Sequence, residues 1–212
     1  MDDISTLTGE LAHSFAGAIN QVDESIGENK TYGEGIGPHD ENGQVDALVR
    51  EVRDGFDGRL STVKSDSASV RYPDGKSADL VVEGPQSEFC EVKLFRFQKA
   101  NGHPSTQGFS KVFSPYQDRN PRSFIHDVNK LANAEIRASK TLLGIYYRPA
   151  RGAGADITGR EIAQKFAADV ELWTDNTVLV DAVAPFSGLQ HDVLQRGAIL
   201  AWSLGEQPER FF

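Results

Sequence analysis

Residues 141–147 read TLLGIYY, a run without a charged side chain. A strand with one wet face alternates apolar and polar residues, whereas a strand that is apolar on both faces must be covered on both. This segment therefore calls for a sheet with helices on each side, an α/β arrangement. The chain supplies such helices. Ile4, Leu7, Leu11, Phe15, Ile19, Val22 and Ile26 recur at three- and four-residue steps, one apolar stripe on a long helix. Val45, Leu48, Val49, Val52 and Phe56 mark a second, with Pro38 suited to its first turn and Glu41 four residues before Val45 on the inward stripe. Residues 122–138 carry a third stripe (Phe124, Ile125, Val128, Leu131, Ala132), and residues 158–173 a fourth (Ile162, Phe166, Ala167, Val170, Trp173).

Between the second and third helices the chain is strand-like. Residues 60–72 read as one strand or a twisted pair around a polar bend, followed by the turn Tyr72-Pro73-Asp74-Gly75. Residues 79–83 and 88–97 read as strands joined at Gly84-Pro85, and residues 98–121 as a long loop with short helical pieces. Residues 177–184 and 198–204 supply two late strands. The expected order is α-α-β-β-β-α-β-α-β-β, a mixed sheet flanked by helices, in a single domain of 212 residues. Gly27, Gly33, Gly35 and Gly37 make residues 27–37 a flexible connector. They are not a phosphate-binding loop, since no strand precedes them and no Gly-Lys-Ser/Thr follows.

No apolar run is long enough for a membrane span, and the acidic start MDDIST has no secretory core. The single cysteine, Cys90, rules out an intrachain disulfide and a Cys-rich zinc site, so a reducing cytoplasm is expected. The net charge of −9 argues against a polyanion partner until its distribution is considered. Residues 1–60 hold 13 acidic and 4 basic side chains, a surface suited to a protein partner; residues 92–151 hold 11 Lys/Arg against 3 Asp/Glu. A local basic field attracts phosphates even on an acidic protein.

That basic block begins at Lys93, inside the stretch SADLVVEGPQSEFCEVKLFRF. Side chains two apart on a strand share a face, so Glu91 and Lys93 point one way and Cys90, Val92 and Leu94 the other. A hairpin can set Asp79 opposite Glu91. Two carboxylates so close repel unless a divalent cation lies between them, and hard oxygen donors suit Mg²⁺ or Mn²⁺. Such an ion polarises a phosphodiester and orients an attacking hydroxide. Burial would lower the Lys93 pKa and neighbouring carboxylates would raise it. The competing reading is a surface ion-pair ladder.

Asp79, eleven intervening residues and then Glu91-Val92-Lys93 resembles the PD-(D/E)XK nuclease superfamily, whose fold is shared with restriction endonucleases. The resemblance implies an αβββαβ core over residues 38–147, with residues 1–37 and an αββ piece over 148–212 as additions. It implies that Asp79, Glu91 and Lys93 are the metal-binding and catalytic core, with Glu41 added from the preceding helix and Glu51 the alternative. The proline usual before the aspartate is absent, since Ala78 precedes Asp79, and Pro73-Asp74 offers Asp74 as a weaker choice. The implied activity is Mg²⁺-dependent hydrolysis of DNA, as an endonuclease of a microbial restriction, defence or DNA-processing system, with a homodimer needed to cut both strands. The alternative is an inactive nuclease-fold module in nucleic-acid binding or protein assembly.

Gln98, Lys99, Gln107 and Lys111 follow the proposed centre as candidate phosphate contacts, and ordinary loop polarity accounts for them equally well. Arg122 and Lys130, candidate nucleic-acid contacts as well, lie with Asp127 on the next helix, where Asp127 and Lys130 also suit a simple helix-face pair. His103, His126 and His191 lack metal-ligand spacing. Cys90, Tyr146, Tyr147, Trp173 and Trp202 read as packing residues.

Overall fold

A computed structural model describes residues 6–85, 87–116, 118, 120–151 and 154–205. Its elements are α1 (Leu7–Ser25), α2 (Glu41–Val52), β1 (Leu60–Thr62), β2 (Leu80–Val82), β3 (Glu88–Arg96), α3 (Thr106–Phe113), α4 (Phe124–Ala132), β4 (Ser139–Tyr147), α5 (Gly159–Trp173), β5 (Val178–Ser187) and β6 (Arg196–Leu204). The strands form one open, mixed sheet in the order β1-β2-β3-β4-β6-β5. Only β3 and β4 are parallel; every other neighbour is antiparallel. A parallel pair needs a crossover, and residues 97–138 with α3 and α4 provide it.

The doubly apolar segment sits where its composition requires. All seven residues 141–147 are buried in β4, at the middle of the sheet. Leu143, Ile145 and Tyr147 pack beneath α1 and α2 with Leu11, Phe15, Ile19, Val45 and Leu48. Leu142 and Tyr146 face the other way, toward Phe124, Val128, Ile162 and Phe166 of α4 and α5. At the heart of that second layer Phe95 stacks on Trp202, with centroids 5.9 Å apart. Gly144 makes the stack possible: a Cβ there would lie 2.9 Å from the Phe95 ring and 3.1 Å from Trp202.

The polar caps set the helix starts. Asp40 accepts from the Gly43 N–H and opens α2 at Glu41, leaving Pro38 outside the helix. At α4 the N-cap position is Ser123, whose hydroxyl donates to the Ser114 carbonyl instead of capping, and Asn133 ends the helix, which is shorter than the 122–138 stripe implied. Within the expected long loop, Ser105 caps the two turns of α3.

Three further expectations change. Of residues 60–72 only Leu60–Thr62 are strand. Asp66 accepts from the Ala68 and Ser69 N–H groups, and Ser65 donates to the Thr62 carbonyl, local bonds that compete with a ladder. The glycine-rich connector is pinned instead of loose. The buried Asp23 carboxylate accepts from the Ile36 and Gln190 N–H groups, and the His191 ring meets the Tyr32 carbonyl. Gly35 has φ +77°, and a Cβ there would strike Asp23. Trp173 is 52% exposed, beyond the buried stripe of α5 that ends at Val170, whereas Trp202, Tyr146, Tyr147 and Cys90 are core residues as expected. Ile4 lies outside the described residues. No helix among the described residues is long and apolar enough to cross a membrane.

Replacing Gly144 with alanine forces a methyl between two stacked rings, an overpacking defect of about 1–3 kcal/mol. Chemical denaturation should show a lower midpoint for Gly144→Ala at unchanged slope; an unaltered midpoint would refute this account of the stack.

Candidate active site

The site originates in a mismatch of strand lengths. β2 has three residues and covers β3 only at Glu88, Phe89 and Cys90. Beyond that point β3 continues to Arg96 with β4 on one side and, among the described residues, no strand on the other. The backbone N–H groups on that open edge still need acceptors. Two carboxylates supply them. Asp79 Oδ2 accepts from the Val92 N–H at 2.8 Å, and Glu41 Oε2 accepts from the Leu94 N–H at 2.7 Å. Asp79 comes from the residue preceding β2 and Glu41 from the first residue of α2. Hydrogen bonds to a charged acceptor contribute about 1.5–3 kcal/mol each. One step beyond the Leu80–Cys90 pair places Asp79 opposite Glu91, as the hairpin reading anticipated.

Glu91 and Lys93 share the face toward α4 with Phe95. Glu91 is 1% exposed. Its Oε1 accepts from the Tyr72 hydroxyl at 2.5 Å and its Oε2 from the Lys130 ammonium at 2.6 Å. Lys93 lies 2.8 Å from Asp127 Oδ2 and 3.6 Å from Glu41 Oε1, and so joins α4 to α2 across the open edge. Asp127 and Lys130 are therefore not a pair with each other: each reaches down to β3.

With every group ionised, Glu41, Asp79, Glu91 and Asp127 exceed Lys93 and Lys130 by two negative charges in a largely buried space. Burial accordingly raises the Asp79 and Glu41 pKa values, against the lowering effect of the Val92 and Leu94 N–H groups and of Lys93. Burial and then the Asp79 charge push Glu91 up to about 8, although Lys130 and Tyr72 oppose the shift. For Lys93, burial acts downward, but Asp127 and Glu41 outweigh it and the pKa ends raised, so this lysine is a fixed cation. That resolves the question left open by the sequence.

Asp79 and Glu41 line one cavity together with Val92, Asp46 and Thr62. Glu91 is not among its lining residues. Among the described residues no group of three or more His, Cys, Asp or Glu side chains is placed to hold a metal ion. The fit to magnesium or manganese thus rests on the oxygen donors Asp79 and Glu41 at a shared cavity whose third carboxylate, Asp46, is paired with Lys64. Mg²⁺ is commonly held by one or two carboxylates plus substrate phosphates in place of an all-protein cage. Two alternatives from the sequence lie elsewhere: Asp74 is on the exposed turn, paired with Lys76, and Glu51 is exposed and bonded to Gln21.

On the solvent side the site opens into a cleft of about 1160 Å³, lined in part by Glu41, Lys93, Arg96, Lys99, Lys111 and Arg122. Gln98 and Gln107 line it as well. Of the candidate phosphate contacts only Lys130 is absent from the lining, its ammonium being bonded to Glu91. His191 is structural, with Nδ1 accepting from the Val193 and Leu194 N–H groups, and His103 is exposed. Sequence reasoning passed over Tyr72, seen only as a turn residue, and Arg96, whose guanidinium donates to the Gly37 carbonyl at 2.7 Å and braces the cleft wall. It also had a usable signal for Asp127 and Lys130, which flank the apolar stripe of α4 and so border the sheet.

Comparison of the chain with protein-family models, curated proteins and solved structures found no match.

A carboxyl whose folded-state pKa lies above its ordinary value holds its proton more tightly when folded, so stability falls as pH rises through that interval. For Glu91 the interval runs from 4.5 to about 8. In metal-free protein, the stability difference between wild type and Glu91→Gln should shift against the wild type across this range, read by urea denaturation at several pH values. A difference that is flat, or that moves in the wild type's favour, would contradict the assigned burial effect.

Proposed function

We propose that the chain is a metal-dependent nuclease that hydrolyses DNA phosphodiester bonds. The observation that carries this reading is the meeting of two features: a recessed cluster of carboxylates and lysines at the open edge of β3, and a basic cleft leading to it. The order α2-β1-β2-β3-α4-β4, with β3 and β4 parallel, supports the resemblance to the PD-(D/E)XK core; α3 is an insertion in the crossover.

Asp79 and Glu41 would hold the ion from the shared cavity, with Glu91 on the neighbouring face of β3. When bound, Mg²⁺ or Mn²⁺ supplies a polarised phosphoryl oxygen and an activated water. The chain's own groups perform the remaining work. Lys99, Lys111, Arg122 and Arg96 attract and position the phosphate backbone along the cleft. Lys93, kept cationic by Asp127 and Glu41, offsets charge that develops at the scissile phosphate. Asp127 holds Lys93 in place, and Lys130 with Tyr72 fixes Glu91. Burial of the cluster strengthens each of these interactions relative to water.

A second reading keeps the basic cleft and omits turnover. It is favoured by Glu91, whose two oxygens are both bonded within the protein. The chain would then be a nucleic-acid-binding module on a nuclease-like scaffold.

Incubation with DNA and Mg²⁺ or Mn²⁺ should yield cleavage that EDTA abolishes. Asp79→Asn and Lys93→Met, the latter keeping the packing of the lysine stem, should each reduce the rate by about 10²–10³-fold with unchanged circular dichroism. Absence of divalent-dependent cleavage of any polynucleotide by the folded protein would reject the nuclease reading and leave the binding module.

A further inference from the structure

The cleft in front of the cluster carries a more specific message about what enters it. Its lining contains Lys93, Arg96, Lys99, Lys111 and Arg122 against Asp40 and Glu41, a basic surplus in a protein of net charge −9. Lys99, Lys111 and Arg122 are exposed and, among the described residues, none forms a salt bridge. These cations are thus available to a ligand. The same lining includes Tyr32, 58% exposed. A tyrosine left this bare is held at a defined position. Its N–H donates to the Asn29 carbonyl and side chain, its carbonyl meets the His191 ring, and the turn closes at Gly33 with φ +105°. The loop that presents it is tied down again by the buried Asp23 through Ile36.

The reacting groups lie deep relative to this rim. The Lys93 side chain is 12% exposed, that of Asp127 15% and that of Glu41 30%. Ligand pockets of roughly 300–1,000 Å³ enclose a molecule of drug size, so a cleft of about 1160 Å³ has room for a short stretch of one strand. A phosphate on the outside of a rigid duplex stays at the rim. A phosphate on an unpaired strand can descend, because its backbone bends and its bases turn aside. Exposed cations that can hold a backbone, in one cleft with an aromatic face on which a base can stack, are the elements of sequence-tolerant single-strand binding.

We infer that the cleft between the 31–41 segment and α3 takes an unpaired nucleic-acid strand, with Tyr32 as a stacking platform and Lys99, Lys111 and Arg122 as phosphate contacts. This deepens the nuclease reading by naming the substrate form, and it rests on that reading only for the step of hydrolysis; binding stands on the cleft alone.

The test separates the two. Fluorescence anisotropy in EDTA compares a labelled oligothymidylate with a duplex of equal length, so no turnover is needed. The single strand should bind at least about 10-fold more tightly, with an affinity that falls steeply with salt. Tyr32→Ala should weaken single-strand binding by about 5- to 100-fold, the range of one lost base stack, and Arg122→Glu should weaken it further. Both residues are exposed, and circular dichroism verifies folding. Equal or tighter binding of the duplex, or wild-type affinity in Tyr32→Ala, would overturn the inference while leaving duplex cleavage possible. Tyr32-dependent single-strand binding without divalent-dependent cleavage would uphold the inference and reject hydrolysis.

Discussion

A strand that outruns its neighbour creates the charged cluster of this protein. β2 stops after three residues and β3 does not, so backbone N–H groups at Val92 and Leu94 face an open edge. Carboxylates from two other parts of the chain fill the place of the missing strand. Once Asp79 and Glu41 stand there, Lys93 is drawn between Glu41 and Asp127, and Lys130 must compensate the buried Glu91. The cluster is therefore part of how the sheet is satisfied as well as a candidate for function. With every group ionised it would carry two surplus negative charges, and burial answers by raising the Asp79, Glu41 and Glu91 pKa values, so a bound cation would compete with protons there.

The wider fold serves to hold that edge still. β4, apolar on both faces, anchors β3 through a parallel ladder from Glu88 to Arg96. The two helical layers fix α2 on one side and α4 on the other, and these carry Glu41 and Asp127 to the same lysine. Asp23 and His191 hold the 31–36 segment, so the cleft has two defined walls. A site built this way is preorganised by packing remote from it.

Much of this was legible in the sequence because it depends on periodicity. The seven-residue apolar run predicts a central strand, the three- and four-residue stripes predict the helices, and the two-residue period predicts that Glu91 and Lys93 share a face. Glu41 was visible as a carboxylate on an inward stripe. What escaped depends on contacts between segments distant in sequence. Tyr72 reaches Glu91 from a turn nineteen residues away, and nothing local marks it. Asp23 disguises a pinned loop as a flexible one, since glycines signal conformational freedom but not the partner that removes it. The polar run after Thr62 has strand-like spacing, yet its serines and Asp66 bond to their own backbone. The hairpin register placed Asp79 opposite Glu91, but strand length, which decides that Asp79 bonds to Val92 and that Glu91 turns to Lys130, is set by tertiary packing.

The most direct test of a divalent-ion site at the open edge of β3 is anomalous diffraction from crystals soaked in Mn²⁺. The account predicts one strong peak in the cavity of Asp79 and Glu41, with carboxylate oxygens at roughly 2.0–2.3 Å as hard-cation coordination requires. A map without a peak there at saturating Mn²⁺, the carboxylates still bonded only to Val92 and Leu94, would contradict it.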